Sequence, residues 1–179
     1  MNRPSRAGPG PAAGSWSAAA AEAADLPGLA DLMAASPLLQ RYGATRETSL
    51  AALEQAHQRH DLLLTARPAS GPPLGMVWVI TSPMLTGAAY LRLLLVADPM
   101  QRAGLGARLL AAAEEHVRSR ANHMFLLVTR DNAGARRFYE RWGYRHVGDL
   151  PDHAVPGIDE ALYHKALRPH GARLAAPGM

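Results

Sequence analysis

The sequence of 179 residues contains no cysteine. This absence excludes disulfide bonds, thiolate metal sites and a cysteine nucleophile. The chain also has no run of about 18 apolar residues without charges or helix breakers, so we expect no membrane-spanning helix and no membrane partner. Its N-terminal residues lack the long core of leucine and valine that a secretion signal requires. Together these absences predict a cytoplasmic protein.

Lysine is nearly absent as well. Of the 19 basic residues, 18 are arginines and only Lys165 is a lysine. Arginine suits phosphate recognition because its planar guanidinium donates hydrogen bonds in pairs. The arginines are scattered, however, and only Arg136 and Arg137 are adjacent. A nucleic-acid-binding protein concentrates its basic residues on one patch or stripe, so we expect no nucleic-acid partner.

The composition is that of one folded domain with two short tails. Hydrophobic residues make up 48% of the chain and charged residues 19%, which is ordinary for a globular protein. Residues 1–14 are rich in proline, glycine, alanine and arginine and are predicted to form a disordered tail. Residues 168–179 have a similar composition and are predicted to form a flexible tail. Residues 15–167 remain as a single domain.

Hydrophobic periodicity predicts an α/β fold with a mixed sheet. Residues 15–60 are predicted to be mainly helical, with Asp25 and either Thr45 or Thr48 as N-terminal caps. Beyond residue 60, short apolar runs bounded by turn residues indicate strands, and one strand-helix-strand unit should make its two strands parallel. The predicted elements are strands at 61–67, 75–82 and 88–96, a helix at 105–119, a strand at 123–129, a helix between the caps Asn132 and Gly143, and strands at 144–150 and 161–167 joined by a loop at 151–160.

A glycine-bearing turn, QRAGLG at residues 101–106, leads from a predicted strand directly into a predicted helix. The N–H groups of residues 103–107 would have no intrahelical partner and would lie at the positive end of the helix dipole, where anions bind. The turn fits neither of two familiar phosphate loops. A dinucleotide fingerprint needs glycine at Leu109, and a P-loop needs Gly-Lys-Ser/Thr. A plain turn and an anion site both remain open from this segment alone.

A second motif changes the interpretation of the turn. The segment NAGARRFYERWGY follows one strand later, and the two motifs in this order resemble the Gcn5-related N-acetyltransferase (GNAT) family, with similarity to bacterial members. The family's loop Arg/Gln-x-x-Gly-x-Gly/Ala fits residues 101–106, with Gln101 in its first position, Gly104 and Gly106 in its glycine positions and Ala107 next. Its second signature, Asn-x-x-Ala-x-x-Phe-Tyr-x-x-x-Gly-Phe/Tyr, fits residues 132–144. The resemblance implies a GNAT-like mixed sheet of about six to seven strands flanked by helices, with a splayed parallel strand pair at the site of the cosubstrate acetyl-CoA.

The resemblance also implies a site and a reaction. A primary amine would attack acetyl-CoA directly, with no covalent enzyme intermediate and no metal, and the absence of cysteine and of a Gly-x-Ser-x-Gly elbow agrees with this. Tyr139 would be the general acid that protonates the leaving thiolate. The amide of Val96 would donate to the thioester carbonyl. The residues implied to bind the cofactor are Leu94, Leu95, Val96, Gln101, Arg102, Ala103, Gly104, Leu105, Gly106, Ala107 and Asn132.

The general base and the acceptor stay open at this stage. The two positions where family members place a catalytic glutamate hold Arg92 and Leu127 here. The remaining candidates are one of Asp98, His146, His153, Asp159 and Glu160, a water chain, or no base at all if the amine arrives already deprotonated. The acceptor should be decided by residues 34–48 and 151–160. Arg41, Tyr42, Arg46 and Arg92 suggest a carboxylate-bearing acceptor such as an amino acid, while protein N-termini, lysines, polyamines and aminoglycosides remain open.

One alternative function and one question of oligomeric state remain. The missing carboxylates leave room for a non-catalytic acyl-CoA-binding regulatory domain, whereas Tyr139 and Asn132 favour the enzyme. The resemblance also suggests a homodimer, although no residue in the sequence argues for one.

Overall fold

The computed structural model describes residues 16–68, 70–81, 87–101 and 103–167. The predicted tails at 1–14 and 168–179 lie outside these ranges, and so does Arg102. Within the described ranges, no helix is both long enough and apolar enough to cross a membrane.

A seven-stranded mixed sheet forms the centre of the described part of the chain, in the order β1-β2-β3-β4-β5-β7-β6. Every neighbouring pair is antiparallel except β4 and β5, which are parallel. This confirms the predicted mixed sheet, the run of three antiparallel strands and the parallel step. The strands are β1 (Trp16–Ala20), β2 (Leu62–Pro68), β3 (Gly75–Ile80), β4 (Ala88–Val96), β5 (His123–Thr129), β6 (Arg145–Val155) and β7 (Ile158–Ala166).

Helices cover both faces of the sheet because its central strands are apolar on both sides. The helices are α1 (Leu26–Ala34), α2 (Pro37–Gln40), α3 (Arg46–Gln58), α4 (Leu105–Val117) and α5 (Ala133–Arg141). Successive side chains of β3 alternate between the two faces. Met76 and Trp78 pack in one hydrophobic core with α1 and α3, and Val77 and Val79 pack in the other core with α4.

The parallel strands β4 and β5 separate before they end. Their paired residues run only from Ala88 opposite His123 to Leu91 opposite Leu126. Beyond that point the register between β3 and β4 shifts, because Val79 faces Leu91 while Trp78 already faces Leu93. The extra residue is Arg92, so β4 carries a β-bulge where it leaves β5. The predicted splay is therefore confirmed, and the bulge lies at its base.

Two sequence predictions about strands were wrong. The segment at 16–20 was included in a mainly helical region, but it forms β1 and pairs with β2. Its alanines favour helix intrinsically, and pairing with a neighbouring strand overrides that preference. The segment 151–160 was predicted to be a loop, but most of it extends β6 and β7 as a long hairpin. Only Pro156 and Gly157 lie between the two strands, with Gly157 at φ +81°.

Helix caps follow the sequence closely, with one exception. Thr45 is the N-cap of α3, and Thr48 completes a reciprocal capping box with it. Gly143 follows the C-cap of α5 at φ +85°, as a left-handed cap requires. Asp25 occupies the N-cap position of α1, but its side chain does not cap that helix. It accepts instead from the Glu22 N–H and pairs with Arg67 at 2.8 Å.

Candidate active site

The turn before α4 has the geometry of an anion site. Gly104 is the N-cap of α4 at φ +80° and ψ −1°, a left-handed conformation that a residue with a side chain rarely adopts. The first backbone bond of the helix runs from the Arg108 N–H to the Gly104 carbonyl at 3.2 Å. The N–H groups of the first turn before Arg108 therefore have no partner within the helix and lie at its positive end. This arrangement suits a phosphate.

A groove of about 710 Å³ runs from this turn along the end of β4 to α5. Gln101, Gly104, Gly106 and Ala107 border it at the turn, and Leu94, Leu95 and Val96 border it on the strand. Two of the predicted residues are placed differently. The Ala103 N–H donates to the Met100 carbonyl at 3.3 Å, and the Leu105 side chain is buried in the core.

The end of β4 presents unpaired backbone groups to the groove. The Ala97 N–H donates to the Leu74 carbonyl, on the β3 side of the strand. Since N–H and C=O groups of alternate residues point to opposite edges of a strand, the groups of Leu95 also face β3. Those of Leu94 and Val96 face the gap that β5 has left. These are the groups that could pair with an extended ligand lying in the gap.

Helix α5 brings Asn132 and Tyr139 to the same groove. The Asn132 side chain caps the helix by accepting from the Ala135 N–H at 3.0 Å. Tyr139 is buried, with its ring edge-on to Phe138 and Tyr144 at centroid distances of 5.1 and 5.5 Å. Burial raises the pKa of the Tyr139 phenol well above its ordinary value, so the hydroxyl keeps its proton at neutral pH.

A second, smaller pocket of about 190 Å³ lies on the other side of the splay. It shares Leu94, Asn132, Ala135 and Tyr139 with the groove. The two spaces therefore meet at the splayed end of β4, with Tyr139 bordering both. A ligand in the groove and a second molecule in the pocket would contact each other at this point.

A buried carboxylate borders the pocket. Glu160 lies in β7 opposite Thr129 of β5 and is only 7% exposed. The Tyr42 hydroxyl donates to Glu160 Oε1 at 3.1 Å and lies 2.8 Å from the Thr129 hydroxyl. Glu160 Oε2 is buried and has no hydrogen-bond partner among the described residues. Burial is the largest cause of a raised pKa at Tyr42, so this phenol also stays protonated.

The pocket is also bordered by Arg92 and Leu127. These residues occupy the two positions at which the resemblance to the GNAT family implied a catalytic glutamate. The Arg92 guanidinium carbon lies 5.9 Å from the centre of the Trp78 ring. Sequence reasoning did not single out Tyr90 and Thr129, which also border the pocket. Period-two alternation places Tyr90 and Arg92 on one side of β4 and could have linked them, but the bulge at Arg92 is not visible in the sequence.

The other candidate bases lie away from the pocket. Asp98 accepts from the Gln101 side chain at 2.7 Å, His146 pairs with Asp149 at 2.8 Å, and Asp159 lies 3.5 Å from Arg130. His153 is exposed on β6. Among the candidate residues proposed from the sequence, only Glu160 borders the pocket, where it accepts a hydrogen bond from Tyr42.

Comparison with known proteins gives one family and many similar folds. The family model described as the acetyltransferase (GNAT) family matches residues 30–144. No curated protein sequence matches the chain.

Three solved structures illustrate the similarity in fold. A Salmonella typhimurium protein solved with its cofactor acetyl-CoA has a TM-score of 0.71 at 17% identity, covering 90% of this chain and 99% of its own. A ribosomal-protein-alanine N-acetyltransferase from Brucella melitensis has a TM-score of 0.69 at 19% identity, over 83% and 98%. An aminoglycoside 6'-N-acetyltransferase complexed with coenzyme A has a TM-score of 0.71 at 17% identity, over 87% and 99%. At these identities the likeness establishes the fold alone.

Proposed function

The chain belongs to the GNAT family of acetyltransferases, and from that premise we propose that it transfers an acetyl group from acetyl-CoA to a primary amine by direct attack. The observation that carries the proposal is the meeting of two spaces at the splayed end of β4. The groove on one side suits a long phosphate-bearing ligand, and the pocket on the other side holds a buried carboxylate. Tyr139 borders both spaces and is in reach of either ligand.

The groove fits acetyl-CoA by its shape and its donors. The pyrophosphate would bind at the N-terminus of α4, where the left-handed Gly104 leaves the first N–H groups accessible. Gln101, Gly106 and Ala107 and the backbone N–H of Leu105 would complete this loop. The Ala103 N–H is hydrogen-bonded to Met100, and Arg102, outside the described residues, stays a prediction. The pantetheine amides would pair with the open edge of β4. Leu94 and Val96 supply the free groups there, Leu95 supplies apolar surface, and Asn132 borders the junction.

Acetyl-CoA supplies an activated thioester, whose carbon–sulfur bond breaks as the carbon–nitrogen bond of the acetamide forms. The Val96 N–H faces the gap and would donate to the carbonyl oxygen, which gains negative charge during attack. Tyr139 would give its proton to the departing sulfur. The raised pKa of Tyr139 keeps this proton in place until the thiolate forms. The same buried surroundings also raise the pKa of the CoA thiol, so the pKa values of Tyr139 and of the thiol stay close to each other.

Glu160 would act as the base that makes the amine nucleophilic. Glu160 borders the pocket, so an ammonium N–H in the pocket would lie beside its carboxylate and would donate a proton to it. Transfer of that proton to Glu160 leaves a neutral amine beside the thioester. The Tyr42 hydroxyl donates to Glu160 Oε1 and holds the carboxylate in position, and the Thr129 hydroxyl is in turn hydrogen-bonded to Tyr42.

The cofactor part of the proposal is tested by calorimetric titration with acetyl-CoA. Gly106→Asp introduces a negative charge where the phosphates should bind, and the nearest atom to its added Cβ is Val96 Cγ2 at 3.5 Å, an ordinary contact. Gly148→Asp is the matched control, because nothing lies within 4 Å of its added Cβ and it lies in β6. We expect micromolar binding in the wild type and the control, and at least about tenfold weaker binding in Gly106→Asp. Equal binding in both variants would place acetyl-CoA elsewhere.

The predicted cytoplasmic location and homodimer stay predictions, as does the absence of a nucleic-acid partner.

A further inference from the structure

Two opposite charges border the acceptor pocket. The Glu160 carboxylate comes from β7 and the Arg92 guanidinium from the bulge of β4. Both act on the Tyr90 phenol between them. Burial raises the pKa of Tyr90, the Arg92 cation lowers it and the Glu160 carboxylate raises it. Because both side chains line the same pocket of about 190 Å³, one small molecule in it would contact both, yet they form no ion pair with each other within 4 Å.

Arg92 is exposed and lies beside the Tyr90 hydroxyl and the ring of Trp78, neither of which carries a charge. Arg92 forms no ion pair with any described carboxylate, and Glu160 Oε2 has no hydrogen-bond partner among the described residues. The other two arginines near this region differ. Arg41 pairs with Asp131 at 3.1 Å and Arg46 with Asp31 at 2.7 Å. Arg92 is thus the arginine that remains available to an acceptor in the pocket.

The pocket is small. Its volume of about 190 Å³ compares with about 150 Å³ for a cavity that holds benzene, so it suits a molecule of somewhat more than six heavy atoms. The chain segment after α2 borders it through Tyr42 and is held by Arg41 against Asp131 and by Tyr42 against Thr129. The floor is apolar, formed by Met33, Leu38, Leu39 and Trp78.

Building on the proposed function, we propose that the acceptor is a small α-amino acid with an apolar side chain. Its carboxylate binds Arg92, its ammonium group meets Glu160, and its side chain packs on the apolar floor. The molecule carries one positive and one negative group a few atoms apart, which complements the two charges of the pocket. No other charged side chain borders the pocket within the described ranges.

Three other acceptor classes fit this pocket less well. Polyamines and aminoglycosides carry several cations and need several carboxylates, whereas Glu160 is the one carboxylate among the described residues that border the pocket. A protein N-terminus has no free carboxylate beside its amine, so Arg92 would be left without a partner.

In the proposed reaction, the acceptor ammonium gives one proton to Glu160. The neutral nitrogen then forms the amide bond with the acetyl carbon as the carbon–sulfur bond breaks. The nitrogen loses its second proton as the amide forms, and this proton restores the Tyr139 hydroxyl through water after Tyr139 has protonated the sulfur. After product release Glu160 loses its proton to water. Arg92 exchanges no proton and acts only by binding the carboxylate. The products are an N-acetyl amino acid and CoA.

The test measures CoA thiol release with three matched acceptors: L-leucine, L-leucinamide and 3-methylbutylamine. The amide replaces the carboxylate by a neutral group, and the simple amine removes it. We expect kcat/KM for leucine to exceed that for either analogue by about 100-fold, as is typical for a hydrogen bond to a charged group. An alanine-terminated peptide and spermidine serve as acceptors of the competing classes.

Arg92→Gln tests the residue itself. We expect the ratio of kcat/KM between leucine and 3-methylbutylamine to fall about 100-fold in this variant. A merely structural role for Arg92 would lower both values together and leave the ratio unchanged. Arg46→Gln is the matched control, because Arg46 is exposed and paired with Asp31 on the surface, and it should keep the wild-type ratio.

The outcomes separate the two proposals. Preferred acetylation of leucine, with loss of that preference in Arg92→Gln, supports the amino-acid acceptor. Equal or better acetylation of the simple amine, the peptide or spermidine overturns the amino-acid acceptor but leaves the acetyltransferase proposal standing. Binding of acetyl-CoA without release of the CoA thiol in the presence of any of the five acceptors counts against both proposals.

Discussion

Replacing Tyr139 with phenylalanine is a clean test of the catalytic proposal, because the structure predicts little else to change. The Tyr139 hydroxyl has no hydrogen-bond partner among the described residues, and its ring packs against Phe138 and Tyr144 through carbon atoms. The variant keeps these ring contacts and loses only the proton donor. We therefore expect a change in folding free energy of less than about 1 kcal/mol and unchanged affinity for acetyl-CoA.

The rate should respond strongly. General acid catalysis contributes about 100- to 10,000-fold, and we expect kcat of Tyr139→Phe to fall by at least about 100-fold, equivalent to about 2.7 kcal/mol of transition-state stabilisation. The assay follows the CoA thiol with a colorimetric thiol reagent. Because the chain contains no cysteine, the whole signal comes from CoA and the enzyme can be used at high concentration, which brings low rates within range.

Tyr144→Phe provides the matched control. Tyr144 is buried beside Tyr139, but its hydroxyl donates to Glu114 at 3.0 Å and borders neither the groove nor the pocket. This variant should lose about 1.5–3 kcal/mol of stability, as expected for a hydrogen bond to a charged group, and keep its kcat. Wild-type kcat in Tyr139→Phe would refute the general-acid role. A parallel loss of acetyl-CoA affinity would instead indicate that Tyr139 only shapes the site.

Three further predictions follow from buried or partly buried charges. Glu160→Gln should lower kcat/KM by about 100-fold near neutral pH. The difference from wild-type kcat/KM should shrink as pH rises, because the amine then arrives neutral. Asp159→Asn, a substitution at the neighbouring residue, should not show this pH dependence. Lys165→Met should lower the free energy of unfolding by about 3 kcal/mol in urea titrations, because Lys165 Nζ lies 2.7 Å from both carboxylate oxygens of buried Glu114; a loss below 1 kcal/mol would contradict the assigned pair. Burial lowers the pKa of His164, so its contribution to stability is present above its unfolded pKa of about 6.5 and is lost as pH falls, and Tm of His164→Asn should depend less on pH between about 7 and 5 than wild-type Tm.

The turn before α4 and the ends of α5 were largely predictable from the sequence because they depend on local chain geometry. A left-handed position at the start of a helix requires glycine, and the sequence places Gly104 there. Helix α5 begins after its side-chain cap Asn132 and ends just before Gly143, as the positions of these two residues in the sequence predict. Such requirements involve neighbouring residues and leave a visible pattern.

The acceptor side was not predictable because it depends on long-range pairing. Pro156, Gly157 and Asp159 made residues 151–160 resemble a loop, so Glu160 was one candidate base among several. In the structure, strand pairing extends back through these residues and sets Glu160 opposite Thr129. Extending the period-two pattern of the last strand back to Ile158 would have placed Glu160 on the same face as Leu162.

Tyr42 and β1 show the same limitation. Tyr42 is half-buried and contacts two residues about 90 and 120 positions away in the chain. Strand β1 contains three alanines and forms because β2 offers it a partner. Neither feature follows from local propensity, since each depends on a contact that exists only in the folded chain.

The central claim is that this chain catalyses acetyl transfer from acetyl-CoA to an amine. The most direct test is CoA thiol release from acetyl-CoA in the presence and absence of L-leucine, with the acetylated product identified by mass spectrometry. The account predicts release that requires the amine, saturates with both substrates and yields N-acetyl-leucine in equal amount to CoA. Tight binding of acetyl-CoA without amine-dependent release, for leucine and for the other acceptors in the panel, would contradict it and indicate an acyl-CoA-binding domain without catalysis.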